Sequence, residues 1–308
     1  NDKAIERLRE VKKRTEGKPF AILIGQVELI SNYTSMTDPI LYKLINTFWP
    51  GPLTIVVPGK NQKETVGIRL PNHPIAIKLV EEAQCSIAAP SANLEGKEPP
   101  KTCREALEDL DGLVDAAIDG GVSHFGSGSS VVDLTGEAPA ILREGVVTQE
   151  QVESVVGTKS IIFICTGNSC RSVMAEYLFK DALKDRPDVH ISSAGTGVFI
   201  QSTASAETIS VLSQEGIDAK GHVSSPVNTV LLKQADLIVV MTHGHRRLIL
   251  ERVPAVEKRV YLLKEFSSLP VSLQAELDIP DPIGQPHQAY QQCLNIIKES
   301  IGKLQELV

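Results

Sequence analysis

A cysteine and an arginine frame a short polar loop near the middle of the chain. Cys165 follows the apolar run at residues 161–164, five residues separate it from Arg171, and Ser172 comes next. A loop between a strand and a helix presents unpaired backbone N–H groups that can bind an oxyanion. A thiolate is stabilised in that field and becomes nucleophilic, while a guanidinium binds two phosphate oxygens at once. The pattern predicts attack by Cys165 on a phosphoryl group.

A carboxylic acid between two prolines lies far downstream of this loop. Asp281 stands between Pro280 and Pro282, and Gly284 follows closely. A poor leaving group on phosphorus must be protonated, and an acid on a loop framed by proline and glycine can donate that proton and then activate water. An Asp-Pro turn and a buried structural cysteine are the simpler interpretations of the two motifs. Their occurrence together in one chain favours a catalytic pair.

Alternating elements surround the loop in the second half of the chain. Short apolar runs alternate with longer segments of helical periodicity, which is typical of α/β proteins with a mainly parallel sheet. On the helix after the loop, Met174, Leu178 and Leu183 are expected to share a buried face. Strands are expected at residues 161–164, 189–193 and 237–241 and within 257–263, and helices at residues 172–184, 206–215 and 288–305.

The second half resembles the low-molecular-weight protein phosphatases from about Lys159 to the C-terminus. The resemblance is carried by the loop and by four further strings, Ser193-Ala194-Gly195, Ala235-Asp236-Leu237-Ile238, Met241-Thr242-His243 and Asp281-Pro282. It implies a protein phosphatase acting through a phosphocysteine, with Cys165 as the nucleophile, Arg171 as the phosphate-binding group and Asp281, rather than Asp278, as the general acid. It also implies phosphorylated protein substrates, and neither a cofactor nor a metal for this reaction.

The resemblance extends to the rest of the loop and to its support. It assigns these positions to Thr166, Gly167, Asn168, Ser169, Cys170, Ser172 and His222. It implies that Asn168 and Ser172 shape the loop and hydrogen-bond the thiolate. It also implies that His222 supports Asn168 from behind the loop.

The other cysteines and histidines of the second half bear on the type of reaction. By resemblance, Cys170 would form a reversible disulfide with an oxidised Cys165 and protect it from over-oxidation. An arsenate reductase can share the fold and the loop, but it needs further redox cysteines. The next cysteine is Cys293, inside the terminal helix, so a phosphatase is favoured. His243 and His245 are expected to be surface residues.

The residues beside the nucleophile bear on the substrate. By resemblance, tyrosine-directed members carry a bulky aliphatic residue at the position of Ser169 and aromatic residues just after the acid, which together wall a slot for the phenyl ring. Here Ile283 and Gly284 follow, and the next aromatic residue is Tyr290. Members acting on phosphoarginine carry threonine in place of Ser169, and a flat cationic leaving group favours a polar rim with a carboxylate. Protein phosphoarginine is therefore predicted, with phosphotyrosine as the alternative.

Polar side chains also stand at the ends of the predicted helices and strands in the first half of the chain. Basic residues end its first helix, and others stand at the ends of predicted strands, where ligands gather in open α/β sheets. Converging cations would bind a phosphate, whereas a solvated helix end and turn caps are the simpler interpretations. The basic run covers residues 12–18, and polar residues stand at strand ends at positions 69, 91–93, 129 and 143.

The same half resembles the threonylcarbamoyl-adenylate synthases, through the Lys-x-Arg-x-x-x-Lys-Pro string at 12–19, the Trp-Pro-Gly-Pro turn at 49–52 and the Ser-Ala-Asn string at 91–93. The resemblance implies a set of candidate residues that bind ATP phosphates and the threonyl carboxylate, namely Lys12, Arg14, Lys18, Arg69, Ser91, Asn93, Ser129 and Arg143. ATP with Mg²⁺, L-threonine and bicarbonate would be substrates, and tRNA or tRNA-modifying proteins would be partners. The family's Pro-Thr-Asp-Thr-x-Tyr-Gly-Leu-Gly-like segment would precede Asn1 and is expected to be missing. Synthase activity therefore stays open for this sequence.

Length, charge and cysteine content set the framework. The 308 residues predict two α/β domains, a synthase-like twisted-sheet domain at 1–157 and a parallel-sheet phosphatase domain at 158–308. The net charge of −7 disfavours tight non-specific binding of nucleic acid. Five irregularly spaced cysteines are not a disulfide framework, so a reducing cytoplasm is predicted. The sequence has no run of about 18 apolar residues, so no attachment to a membrane is predicted.

Two further functions stay open at this point. In one, the first half only binds RNA or nucleotide and the second half senses phosphate; the retention of Cys165 and Asp281 disfavours it. In the other, the full-length protein is a bifunctional enzyme with an active L-threonylcarbamoyladenylate synthase.

Overall fold

The computed structural model describes residues 1–13, 20–62, 64–267 and 277–308. The chain forms two compact units, one of Asn1–Met36 with Lys43–Val156 and the other of Thr37–Tyr42 with Gly157–Val308. Each unit contains one sheet and several helices, so the predicted α/β class is confirmed. None of the helices in the described ranges combines the length and the apolar character that crossing a bilayer requires.

The first sheet is mixed. Its elements and the neighbouring helices are, in chain order, α1 (Asp2–Lys12), β1 (Ile22–Leu23), α2 (Pro39–Phe48), β2 (Leu53–Pro58), β3 (Thr65–Arg69), α3 (Pro74–Ala83), β4 (Ile87–Ala88), α4 (Cys103–Leu110), β5 (Ser130–Asp133), β6 (Ala140–Arg143) and α5 (Gln149–Val156). The strand order is β4-β1-β3-β2-β5-β6, with parallel pairing in β1–β3 and β2–β5 and antiparallel pairing elsewhere. Trp49 is buried, and its indole N–H donates to Leu53 O at 2.7 Å.

The second sheet is entirely parallel. The elements of this part of the chain are β7 (Lys159–Cys165), α6 (Arg171–Ala182), β8 (Val189–Gly195), α7 (Ala206–Gln214), α8 (Thr229–Gln234), β9 (Leu237–Val240), α9 (His243–Arg252), β10 (Val260–Leu262) and α10 (His287–Gln305). The strand order is β10-β9-β7-β8. Because helices cover both faces of such a sheet, its inner strands carry apolar runs, and residues 160–165 of β7 are all buried.

One core fills each face of the second sheet. Met174, Leu178 and Leu183 lie together in the core that contains α6 and α10, as predicted. Ile162 and Ile164 point the other way, into the core that contains Leu232 and Ile249 of α8 and α9. Parallel strands bring their carboxyl ends to one edge, so the residues following β7, β8 and β9 meet there.

Candidate active site

Cys165 ends β7 with its sulfur inside the following loop. The side chain is buried, with 3% of the residue exposed. Its Sγ lies 2.9 Å from Ser172 Oγ, and the backbone N–H of Asn168 donates to it at 3.3 Å. Helix α6 begins at Arg171, so its unpaired N–H groups also face this loop. The sulfur therefore occupies a position where a negative charge is stabilised.

Asn168 holds the loop in shape from within. Its backbone is left-handed, with φ of 50°, a conformation that asparagine adopts more readily than other residues with a Cβ. Its side-chain amide donates to Ser172 Oγ at 3.0 Å and to Ser193 Oγ at 2.7 Å. Its Oδ1 accepts from the backbone N–H of Ser225 at 2.8 Å. All polar groups of a fully buried side chain are thus paired.

The hydrogen bonds of Asn168 set the direction of two hydroxyl protons. Each hydroxyl has one proton to donate, and both Ser172 and Ser193 accept from the amide. The Ser193 hydroxyl donates to Glu176 Oε2 at 2.5 Å, and that of Ser172 is left for the Cys165 sulfur. Ser172 is therefore oriented to donate to a thiolate.

Glu176 and Ser193 are members of this network that the sequence interpretation did not assign to the site. Glu176 is a buried carboxylate on α6, and Lys180 pairs with it at 2.5 Å. His222 Nε2 lies 2.9 Å from Asn168 O, and its Nδ1 is 3.8 Å from Glu176 Oε2. An acidic residue within the otherwise apolar and aromatic stretch at 173–179 was the signal in the sequence that could have identified Glu176.

Arg171 joins the loop to the downstream acid. Its guanidinium is buried, Nη1 donates to Ile279 O at 3.1 Å, and Nη2 forms a salt bridge with Asp281. The Asp281 side chain is 41% exposed. Nε of Arg171 is buried and has no hydrogen-bond partner among the described residues. A buried unpaired donor on a cation is a favourable partner for a ligand anion.

The remaining loop residues lie around the same centre. Thr166 and Gly167 are exposed and Ser169 is half-buried, with Ser169 Oγ 3.6 Å from the sulfur of Cys170. Cys170 is buried, and its sulfur lies 3.4 Å from Ser205 Oγ. The predicted loop residues are therefore brought together.

Cys293 lies on α10 behind the acid loop. It is buried, and its sulfur is 3.9 Å from Pro280 O. Burial raises the pKa of Cys293 to about 12, which the positive charge of Arg171 only partly opposes. This cysteine stays a thiol at neutral pH, as suits a packing residue rather than a redox partner.

The expectation that two histidines lie at the surface is right for His243 and wrong for His245. The His243 side chain is 54% exposed, but only 5% of His245 is exposed. Residues two apart on a helix point in different directions, so one faces solvent while the other faces the loop. Burial, with a further contribution from Arg171, lowers the pKa of His245 to about 4. The ring is therefore neutral at physiological pH.

The segment between β8 and α7, residues 196–205, lies beside the loop that follows Cys165. Gly197 N donates to Thr166 O at 2.9 Å, and Ser205 N donates to Ser169 O at 3.0 Å, so both ends of the segment are attached to the loop. Within it, Phe199 is 97% exposed. A Cβ at Gly195 would lie 3.0 Å from Asn168 N, so glycine permits this close approach. Phe199 is a candidate rim residue that sequence interpretation missed.

The candidate residues of the first unit fall into two groups. In one, the buried Lys12 ammonium donates to Ser91 O at 2.5 Å and approaches Asn93 Oδ1 at 3.3 Å. In the other, Arg143 donates to the backbone oxygen of Ser129 at 2.6 Å. Burial lowers the pKa of Arg69, and the positive charge of Arg143 lowers it further. Two further candidates, Arg14 and Lys18, lie outside the described residues.

A cavity adjoins the first of these groups. Its volume is about 340 Å³, within the range of small-molecule sites. Apolar side chains of α4 and the following segment form most of its wall, with Ala92 and Lys101 beside them. Within the described ranges, no set of three or more His, Cys, Asp or Glu residues is placed to hold a metal ion.

The second unit combines a parallel sheet with a cysteine-containing loop between a strand and a helix. These features place it in the class of cysteine-dependent phosphate-loop proteins. The chain belongs to the low molecular weight phosphotyrosine protein phosphatase family over residues 160–308, and to the Sua5/YciO/YrdC family, described as telomere recombination, over residues 1–145. Both predicted resemblances are thereby confirmed at the level of family.

Curated relatives match one half of the chain each. The threonylcarbamoyl-AMP synthase of Bacillus subtilis (strain 168) is 36% identical over 166 residues, covering 51% of this chain and 48% of that protein. A related protein of Mycobacterium tuberculosis (strain ATCC 25618 / H37Rv) is 34% identical over 162 residues, covering 50% of this chain and 74% of its own length. The protein-arginine-phosphatase of Bacillus subtilis is 35% identical over 145 residues, covering 47% of this chain and 93% of that protein. The chain thus spans about half the length of the first synthase relatives that it matches.

Proposed function

We propose that the second unit is a protein phosphatase that hydrolyses phosphoarginine through a phosphocysteine on Cys165, with phosphotyrosine as the alternative substrate. The observation that carries this proposal is the geometry around the sulfur, where the Ser172 hydroxyl and the Asn168 N–H converge on it. The salt bridge of Arg171 with Asp281 supports the proposal, because it brings a phosphate-binding cation and an acid to the same loop.

The proposed reaction has two steps. The Cys165 thiolate attacks phosphorus, and the S–P bond forms as the bond from phosphorus to the leaving nitrogen or oxygen breaks. Asp281, in its acid form, gives its proton to the leaving group. Water then attacks the phosphocysteine and gives a proton to the Asp281 carboxylate, and the S–P bond breaks to release phosphate and the thiolate. Neither step requires an oxidant or a metal.

Arg171 would bind the phosphoryl group throughout. Its unpaired Nε–H is a donor that a phosphoryl oxygen can satisfy. A second oxygen would compete with Asp281 for Nη2, since guanidinium binds phosphate in a bidentate manner. Binding of substrate would thereby release the Asp281 carboxyl from its salt bridge and leave it available to the leaving group.

The surroundings of the loop favour phosphoarginine. Ser169 presents a small hydroxyl beside the nucleophile, and Ile283, after the acid, is 53% exposed without an aromatic neighbour in sequence. Tyr290 is buried and therefore does not wall a slot open to solvent. Phe199 offers an exposed aromatic face, on which a guanidinium can stack. The arginine-phosphatase names of the relatives support the same substrate class.

Exchange of Ser169 for isoleucine tests the substrate class. Wild type is expected to have the higher kcat/KM for a phosphoarginine peptide than for a matched phosphotyrosine peptide. In Ser169→Ile, a branched alkyl group replaces the polar rim and packs against a phenyl ring, so the ratio should shift toward phosphotyrosine by about tenfold or more. The measurement is kcat/KM from competition between the two peptides.

Ser169→Thr is the matched control for that exchange, because it keeps the hydroxyl and adds only a methyl group. It is expected to retain the preference of the wild type. Preference of the wild type for phosphotyrosine, unchanged by Ser169→Ile, would contradict both the substrate assignment and its rationale. In that case the phosphatase would act on phosphotyrosine.

We further propose that the first unit binds ATP, with Mg²⁺, and L-threonine, as a threonylcarbamoyl-AMP synthase that also uses bicarbonate. The specific observation in favour is the convergence of Lys12 with Ser91 and Asn93 beside a cavity of about 340 Å³. Phosphorylated proteins would be the partners of the second unit, and tRNA or tRNA-modifying proteins those of the first. A unit that binds nucleotide without synthesis is the alternative.

Calorimetry with ATP and L-threonine tests the first unit. ATP is expected to bind with a dissociation constant below about 1 mM, and Arg143→Ala should weaken it about tenfold through loss of a charged donor. Arg104→Ala, which removes an exposed arginine on α4, is the control and should leave binding unchanged. Absence of detectable heat with both ligands would contradict the binding site.

A further inference from the structure

The first turn of α9 contacts both loops of the candidate site. The helix begins at His243 and is capped by Thr242, whose Oγ1 accepts from the backbone N–H of His245 at 3.2 Å. The phosphatase resemblance gave His243 and His245 no role. In the structure one of them reaches the phosphate loop and the other reaches the acid loop.

His245 ties this turn to the residue that follows the nucleophile. Its Nε2 lies 2.9 Å from Thr166 Oγ1, and its Nδ1 lies 2.8 Å from Thr242 Oγ1. A neutral imidazole donates from one nitrogen and accepts at the other, so the ring connects the two hydroxyls in either tautomer. Burial keeps the ring neutral, since it lowers the pKa of His245 to about 4. The phosphate loop is thereby attached to the cap of α9.

His243 ties the same turn to the start of the acid loop. Its backbone N–H donates to Asp278 Oδ1 at 2.7 Å, and its Nδ1 lies 2.8 Å from the same oxygen. One residue further, Ile279 N donates to Met241 O at 2.9 Å. Burial raises the pKa of Asp278, but the His243 hydrogen bonds outweigh it, so the net shift is downward and the carboxylate stays ionised.

Arg171 connects the acid loop back to the phosphate loop. It donates to Ile279 O and pairs with Asp281. A continuous ring of contacts therefore runs from the phosphate loop through His245 and His243 to Asp278, and back to the loop through the arginine. A closed ring constrains the distance between the nucleophile and the acid more tightly than either contact alone.

We propose that the first turn of α9 sets the position of Asp281 relative to Cys165, with His245 and Asp278, held by His243, as the positioning residues. This inference rests on the proposed phosphatase function. A misplacement of about 1 Å can cost about a hundredfold in rate, so each contact has a measurable effect. Loss of the His245 contacts should therefore have a different effect on the reaction from loss of the Asp278 contacts, since His245 holds the nucleophile loop and Asp278 holds the acid loop.

The experiment compares phenyl phosphate, a poor leaving group, with p-nitrophenyl phosphate, a good one. Asp278→Ala is expected to lower kcat/KM for phenyl phosphate, which reports phosphocysteine formation, about tenfold or more and to change kcat/KM for p-nitrophenyl phosphate little, because only the acid is displaced. His245→Phe is expected to slow the phosphocysteine burst with both substrates by a similar factor, because the nucleophile loop is displaced. Asp185→Ala, at an exposed position, is the control.

A double-mutant cycle separates positioning from general destabilisation. In the Asp281→Asn background the acid is already lost, so adding Asp278→Ala should reduce kcat/KM for phenyl phosphate by less than about twofold. If Asp278→Ala does not fold, Asp278→Asn keeps one acceptor for the His243 N–H and carries the same comparison with a smaller effect.

The outcomes distinguish the inference from the function on which it rests. A wild type without turnover of either ester would overturn the proposed function and the inference with it. An active wild type in which Asp278→Ala slows both esters equally, or in which the loss persists in full on Asp281→Asn, would overturn the inference alone. The selective loss described above, absent from the Asp281→Asn background, would support it.

Discussion

Replacement of Cys165 by serine is expected to abolish turnover of every phosphoryl substrate, by about 10⁴-fold or more. Serine keeps the shape of the side chain, but its hydroxyl is a far weaker nucleophile at neutral pH than a thiolate supported by Ser172 and by Asn168 N. Binding of inorganic phosphate should persist, because the loop N–H groups and Arg171 remain. Steady-state kinetics with p-nitrophenyl phosphate and calorimetry with phosphate measure the two expectations.

Cys85→Ser is the control for this exchange. Cys85 is an exposed cysteine of the first unit, and its replacement should leave turnover unchanged. Near-normal activity of Cys165→Ser would mean that phosphorus is attacked by another group and that the phosphocysteine mechanism is wrong. Loss of phosphate binding together with activity would instead indicate that the loop has lost its shape.

Replacement of Asp281 by asparagine is expected to reduce kcat/KM, which reports phosphocysteine formation, by about 10²–10³-fold for phenyl phosphate and by less than about tenfold for p-nitrophenyl phosphate. A nitrophenolate leaves without a proton, whereas phenolate needs one from the acid. The amide also cannot form the salt bridge that Asp281 makes with Arg171. Measuring kcat/KM across a series of aryl phosphates gives the dependence on the pKa of the leaving group.

The exposed carboxylate of Asp218 provides the comparison, and Asp218→Asn should leave that dependence as in the wild type. An equal loss for all leaving groups in Asp281→Asn would point to a structural role for Asp281 through its arginine partner. Because Arg171 is buried and pairs with Asp281, that outcome is a real alternative, and only the series of esters separates the two.

Local pattern was enough to predict most elements around the site. The apolar run before Cys165 forms β7, because a strand that is buried on both faces of a parallel sheet requires such a run. The periodic segment after Cys165 forms α6. The carboxyl ends of the predicted strands also indicated the edge of the sheet at which the polar residues of the site lie. The bounds differ by only a residue or two, as for α10, expected at 288–305 and observed at His287–Gln305.

Contacts between distant parts of the chain could not be predicted from local pattern. The salt bridge of Arg171 with Asp281 joins residues 110 positions apart, and no local pattern in the sequence indicates it. The bond from Asn168 to Ser193 spans 25 positions, and nothing in the Ser-Ala-Gly string indicates which hydroxyl turns toward the loop. Such pairs depend on how strands are ordered in the sheet.

His245 illustrates the limit most directly. Polar residues fill most of the first half of α9, so no apolar stripe indicates which side of the helix faces the protein. The sequence by itself determined the strand, the loop and the helix that follows it, because hydrophobic periodicity and local backbone chemistry act over a few residues. Only the tertiary structure decided that His245 is buried against Thr166 and that His243 holds Asp278, because those contacts form when β7, β9 and the acid loop meet at one edge.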